Sequence, residues 1–189
     1  MQWNRIAVAS LFLALGSLPA PTPAQAGDQN LPPTHQPRSF TPRLADMQLT
    51  NQLGQSIPLS QLMDRDNNLL FAFFFTQCIT ICTTTTFALK SVEQAVPADT
   101  LLAMISIDPD NDNPEVLAEY AEEHRLDAPR WQLLTGNKKD LENLQRSLAS
   151  YRGNKMNHNT SIFMKKSGSS AITEVTDNFK IIPKLFKQD

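Results

Sequence analysis

Leu69-Leu70-Phe71-Ala72-Phe73-Phe74-Phe75-Thr76-Gln77-Cys78-Ile79-Thr80-Ile81-Cys82 is the stretch on which the reading of this chain turns. It opens with an unbroken apolar run, residues 69–75, too short for a membrane span and suited to a strand buried on both faces. The two cysteines of the chain follow that run directly. Beyond them Thr85, Leu89, Val92 and Val96 recur at helical spacing, with Cys82 on the same stripe and Cys78 one turn earlier. These spacings predict a buried strand that ends in a short loop and a first helical turn, carrying two thiols four residues apart.

Outward from this unit, Pro97-Ala98-Asp99 breaks the helix and residues 101–107 form the next apolar strand, which ends in Asp108-Pro109-Asp110-Asn111-Asp112-Asn113-Pro114. Asn113 is placed to cap a following helix with Pro114 at its first position. That helix should bury Val116, Leu117, Tyr120 and Ala121. Residues 131–134 read as a short strand, and Thr135-Gly136-Asn137 as the start of a helix with the stripe Leu141, Leu144, Leu148 and Tyr151. A polar loop over 152–159 then leads to a hairpin of residues 161–164 and 171–176, and residues 183–187 make a short last helix. Upstream, residues 47–57 suggest a hairpin around Asn51-Gln52-Leu53-Gly54, and Leu59, Leu62 and Met63 a helical turn. Strands alternating with helices, followed by a hairpin, imply an α/β three-layer domain with a central mixed sheet flanked by helices.

The N-terminus reads as a secretory signal over residues 1–26. Arg5 supplies the positive n-region, residues 6–18 an apolar run short of the roughly 20 residues of a spanning helix, and Ala24-Gln25-Ala26 a small-residue cleavage site. Residues 27–43, with Pro32, Pro33, Pro37 and Pro42, read as a flexible proline-rich linker, and residues 44–189 as the single folded domain. Export makes the protein periplasmic or otherwise extracytoplasmic, soluble once cleaved and in contact with a membrane only by docking or through an uncleaved signal. The net charge of −2 and the lack of a basic cluster argue against nucleic acid as a partner.

In an oxidising compartment paired cysteines usually form disulfides. A bond between neighbours four apart closes a very small loop and constrains the unfolded chain little, so stability is a poor reason for the pair. On one helical turn their Cα atoms lie roughly 6 Å apart, within the span a disulfide tolerates, so the thiols can cycle between dithiol and disulfide. Reduced, two thiolates on one face make a soft site that favours copper(I) or zinc. A helix N-terminus stabilises a thiolate in either case. Two sulfurs rarely complete a metal site. Of the three histidines, His35 lies in the linker, and His124 falls on a helix stripe near its C-terminus, where packing and the helix dipole account for it. His158 stands in a loop immediately before a core strand, at the same sheet end as the cysteine loop in a thioredoxin-like arrangement. Solvation alone also explains a loop histidine, and the constellation does not identify a metal.

Phe73-Phe74-Phe75-Thr76-Gln77-Cys78-Ile79-Thr80-Ile81-Cys82 resembles the Cys-x-x-x-Cys region of the SCO (SenC-type) copper chaperones of cytochrome c oxidase assembly. Ile105-Ser106-Ile107-Asp108-Pro109 followed by Asn113-Pro114-Glu115-Val116-Leu117 is similar to that family's Asp-Pro loop and next helix. Leu134-Thr135-Gly136 and His158-Asn159-Thr160-Ser161-Ile162-Phe163 match later family blocks in order. The chain departs from the usual pattern in having Ile79 and Thr83 where prolines commonly follow the cysteines, and in the uncharged Ile79-Thr80-Ile81 between them. The resemblance implies a thioredoxin-like fold that binds copper, as Cu(I) or Cu(II), through Cys78, Cys82 and His158. It implies as partner a copper-receiving protein, a subunit of cytochrome c oxidase, and a thiol reductant protein as a second.

A metallochaperone of this kind is not an enzyme, because it transfers its ion by ligand exchange without turnover. The alternative is a periplasmic thiol–disulfide oxidoreductase in which Cys78 and Cys82 are the catalytic pair. Cys78, the more exposed, would then attack, and Cys82 would resolve the mixed disulfide. A redox-inert domain with a structural disulfide is the third reading. His158 separates the first two, since a copper site needs it and disulfide exchange does not. The signal itself is testable: mass spectrometry of exported protein should find an N-terminus at Gly27, and full-length protein in the membrane fraction would replace cleavage with an anchor.

Overall fold

A computed structural model describes residues 36–188 except 65, 79 and 80, and leaves the side chains of residues 81–83 outside the description. The secretory signal, residues 27–35 of the linker and His35 lie outside the described residues. In chain order the elements are β1 (Arg38–Phe40), β2 (Gln48–Asn51), β3 (Ser56–Pro58), α1 (Leu59–Leu62), β4 (Leu69–Phe74) and α2 (Ile81–Glu93). There follow β5 (Leu101–Ser106), α3 (Pro114–His124), β6 (Trp131–Gly136), α4 (Lys138–Ser147), β7 (Ser161–Lys165), β8 (Ile172–Thr176) and α5 (Ile182–Phe186). The strands form one sheet in the order β1-β8-β7-β4-β5-β6-β2-β3. β4, β5 and β6 run parallel, and β7 lies antiparallel on the other side of β4.

Every residue of β4 is buried, as a strand covered on both faces requires. Its alternating side chains feed two cores. Leu70, Ala72 and Phe74 face Leu89 and Val92 of α2, Leu117 and Tyr120 of α3 and Ile182 of α5. Leu69, Phe71 and Phe73 face Leu59 and Leu62 of α1 and Leu141 and Leu144 of α4. The same division runs through β5, with Leu102 and Met104 on one side and Ala103 and Ile105 on the other. This is the expected three-layer α/β arrangement. Phe71 is fully buried and stacks on Phe163 at a centroid distance of 5.0 Å, which ties β4 to β7 through their side chains as well as their ladder.

Local chemistry explains the element ends. Asn113 caps α3 by accepting the Val116 N–H, with Pro114 at the first turn as expected. The β2–β3 hairpin closes on Asn51, whose Oδ1 accepts from the backbone of Leu53 and Gln55, while Gly54 takes the positive φ that the turn needs. Three details differ from the sequence reading. Thr135 and Gly136 extend β6 instead of opening a helix, because they pair with Thr50 and Leu49 of β2; the helix starts at Lys138 with Asn137 as its cap. Tyr151 lies past the end of α4, where the Arg146 guanidinium covers its ring at 3.7 Å. Residues 38–40, read as part of the linker, add β1 to the outer side of β8.

Phe71 is the fully buried aromatic that joins β4 to β7 within one core. Phe71→Ala should cost about 3–5 kcal/mol, the usual range for emptying a fully buried aromatic position. Denaturant unfolding measures it, and a loss under about 1 kcal/mol would show that the site collapses around the change.

Candidate functional site

The antiparallel register of β4 and β7 sets Leu69 opposite Lys165 and Phe71 opposite Phe163. The C-terminal end of β4 therefore lies beside the N-terminal end of β7. Phe75 leaves β4 at that end, and His158 precedes β7 there. Their rings meet edge to face at 5.4 Å. Cys78 is held to the same residue through the main chain, its N–H donating to the Phe75 carbonyl at 3.2 Å. Phe75 thus has the first cysteine on its carbonyl and the histidine on its ring, which is the proximity that the sequence placed at one sheet end.

Cys78 is 8% exposed and belongs to the core cluster that contains Phe75. The turn from Phe75 leaves Cys78 largely covered, and the comparison with Cys82 lies outside the described side chains. Cys82 stands in the first turn of α2, where the sequence put it; its side chain lies outside the described residues. Among the described residues no three His, Cys, Asp or Glu side chains are grouped to hold an ion, and Cys82 was one of the three expected donors.

His158 is buried, and its Nδ1 lies 2.7 Å from the Lys155 carbonyl. A carbonyl only accepts, so Nδ1 carries the proton and the ring lone pair lies on Nε2. Burial pushes the imidazole below its ordinary value of 6.5, against the opposing pull of the bond to Lys155. The ring is therefore neutral near pH 7, with one nitrogen oriented by a carbonyl. That is the state in which histidine ligates a metal, and the type of outer partner that ligating histidines use. A neutral imidazole and a thiol, both held to Phe75 at one sheet end, are donor types suited to copper.

The turn that carries His158 is a short 3-10 helix, Lys155–Asn157, capped by the Asn154 side chain on the Met156 N–H. The Lys155 ammonium pairs with buried Asp108 and lies 5.2 Å from the Phe75 ring centroid. Asp108 also accepts from Asn111 Nδ2 at 2.9 Å, and its own N–H donates to Ser106 Oγ at 3.0 Å. Ser106 in turn donates to Asp112, which is fully buried. The Asp112 carboxylate also accepts the Thr76 N–H at 3.2 Å and the Thr76 hydroxyl at 2.5 Å. A buried carboxylate is tolerable only with such bonds. These bonds fix the loop that leads into Cys78. Beside His158 a cleft of about 420 Å³ opens between Asp108, Glu142, Arg152 and Lys155.

Thr76, Ser106, Asp112 and Lys155 carry no roles in the sequence reading. The run of acidic residues after β5 signals a loop, but nothing in it tells which carboxylate will be buried. His124 lies apart from this site. It is half-buried, stacks on Tyr120 at 4.0 Å and places Nδ1 3.1 Å from the Tyr120 carbonyl, near the C-terminus of α3. That is the packed, structural histidine its position predicted.

A family model described as SCO1/SenC matches residues 36–183. The SCO1 protein homolog of Bacillus subtilis is 32% identical over 89 residues, 46% of this chain and 45% of that protein, so the match spans less than half the relative's length. BsSco, described as a Sco-family cytochrome c oxidase assembly protein with a disulfide switch, superposes with a TM-score of 0.64 at 22% identity, covering 79% of this chain and 94% of that one. Arabidopsis thaliana ScoI with copper bound gives 0.63 at 19% identity over 76% and 95%. At these identities the likeness to solved structures is one of fold, and the fold is the thioredoxin-like α/β arrangement.

The environment of His158 fixes a pH response. Its depressed folded value means that the unfolded chain binds the proton more readily. The histidine's contribution to stability is therefore present above about pH 6.5 and lost as the pH falls through the folded value. NMR titration of the metal-free protein should find His158 titrating below 6.5; titration at or above that value would contradict its burial.

Proposed function

Because the chain belongs to the SCO1/SenC family, we propose that it is an exported metallochaperone that holds copper through Cys78, Cys82 and His158 and serves assembly of the copper centre of cytochrome c oxidase. The observation that carries this reading is the double contact at Phe75: the His158 ring packs on its side chain while its carbonyl anchors Cys78. Residues far apart in sequence, one soft donor and one imidazole, are thereby brought to one end of the sheet. Sco-family proteins crystallised with copper bound support copper as the cargo.

Each group has its task. The thiolates of Cys78 and Cys82 are the soft donors that favour copper(I), and the imidazole of His158 accommodates copper(II) as well. With Nδ1 engaged by the Lys155 carbonyl, Nε2 is the histidine's donor atom. Release to an oxidase subunit proceeds by exchange of one thiolate at a time for a thiolate of the receiving protein, so nothing is turned over. The folded domain takes in residues 38–40 of the segment read as linker, which add β1 to the sheet. No helix among the described residues is long and apolar enough to cross a membrane.

A second reading is favoured by the disulfide switch described for BsSco: the same cysteines act as a thiol–disulfide oxidoreductase, with a thiol reductant as partner. His158 separates the two. Cys78→Ser or Cys82→Ser should abolish tight copper(I) binding. His158→Ala should weaken binding by more than the roughly 10–100-fold typical of losing an outer-sphere partner and remove the thiolate-to-copper(II) absorption, while leaving the disulfide able to form. His35→Ala and His124→Ala should change neither. Copper binding indifferent to His158→Ala, with thiol exchange intact, would establish the oxidoreductase instead.

A further inference from the structure

His158 is carried by a turn whose residues are mostly exposed. Residues 152–154, 156 and 157 are exposed, whereas Lys155 is half-buried and His158 buried. The Lys155 ammonium is paired with Asp108, whose side chain is 8% exposed, and stands 5.2 Å from the centroid of Phe75, the ring against which His158 packs. The carbonyl of the same lysine accepts a hydrogen bond from His158 Nδ1–H. One residue therefore grips the sheet end with its side chain and the imidazole with its main chain.

We propose that Lys155 is a positioning residue: its ion pair with Asp108 anchors the 155–157 turn so that the Lys155 carbonyl selects the Nδ1–H tautomer of His158 and holds Nε2 in place as a metal donor. This rests on His158 being a ligand, as proposed above. The ammonium acts on the donor atom through the backbone of the turn. A replacement at position 155 keeps the carbonyl but lets the turn, and the carbonyl with it, drift from the imidazole. Asp108 is held in turn by Asn111 and by its backbone bond to Ser106, so the anchor point is fixed independently of Lys155. An imidazole with a wandering tautomer loses donor strength for copper(II), which needs nitrogen, far more than for copper(I), which the thiolates hold.

Lys155→Met removes the charge and keeps the chain length; Lys155→Arg keeps the charge. In the metal-free protein, nitrogen-15 NMR of His158 should show one dominant Nδ1–H tautomer in wild type and Lys155→Arg and a mixture of tautomers in Lys155→Met. Competition titrations should show copper(II) affinity falling about tenfold in Lys155→Met, as loss of an outer-sphere partner costs, and restored in Lys155→Arg, with copper(I) affinity changing much less. Asp108→Asn removes the pair from its other end and should give the same tautomer mixture, which keeps the test decisive if a position 155 variant folds poorly. A single unchanged tautomer in both Lys155→Met and Asp108→Asn would overturn the assignment. The NMR arm needs no metal. It judges Lys155 even where copper titration of His158→Ala removes the histidine from the ligand set.

Discussion

The two-sided burial of β4 is the constraint from which the rest follows. A strand with apolar side chains on both faces is stable only between two covered layers, so α2, α3 and α5 must close one side and α1 and α4 the other. Parallel pairing to β5 and antiparallel pairing to β7 then leave one direction in which the chain can exit. Phe75 and the cysteine loop emerge at that end because the six residues before them have no freedom to slip: a shift of one residue would exchange the two cores.

At that end the packing problem becomes electrostatic. Asp112 is fully buried, and its carboxylate is satisfied by a backbone N–H and two hydroxyls. Ser106 links it to the Asp108 backbone, and Asp108 to Lys155. The loops after β4 and β5 and the turn before β7 are thus joined by one connected set of polar contacts. Networks of this kind are rigid when every member is satisfied and costly when one is missing. The cysteine loop and the histidine turn are in this sense a single mechanical unit, although two strands and three helices separate them in sequence.

Much of this was legible in advance, for a physical reason in each case. The run 69–75 announced β4 because burial on both faces leaves no polar position. The spacing of Thr85, Leu89, Val92 and Val96 announced α2, and all four are buried, although α2 ends at Glu93. Asn113-Pro114 announced the start of α3 because cap and ring chemistry act locally. Thr135 and Gly136 were misplaced because their partner strand, β2, is distant in sequence and no local preference records it. That Cys78 would be 8% exposed was not legible, because the turn that covers it is set by a backbone bond to Phe75 and not by helical spacing. His158 was legible as a loop residue at the right sheet end. That Lys155 holds it was not, since a backbone carbonyl leaves no trace in composition.

The outermost strands carry a further consequence. β1 and β3, the two margins of the sheet, are three residues each. β3 ends on Pro58, which has no amide hydrogen to offer, and β1 presents Arg38 in an ion pair with Glu174 of its neighbour. A margin so brief, interrupted by proline at one side and charged at the other, gives a second chain little backbone to pair with. The apolar strands that would nucleate cross-chain pairing, β4 and β5, are innermost. Once its sheet has closed, the domain is thereby guarded against edge-to-edge aggregation.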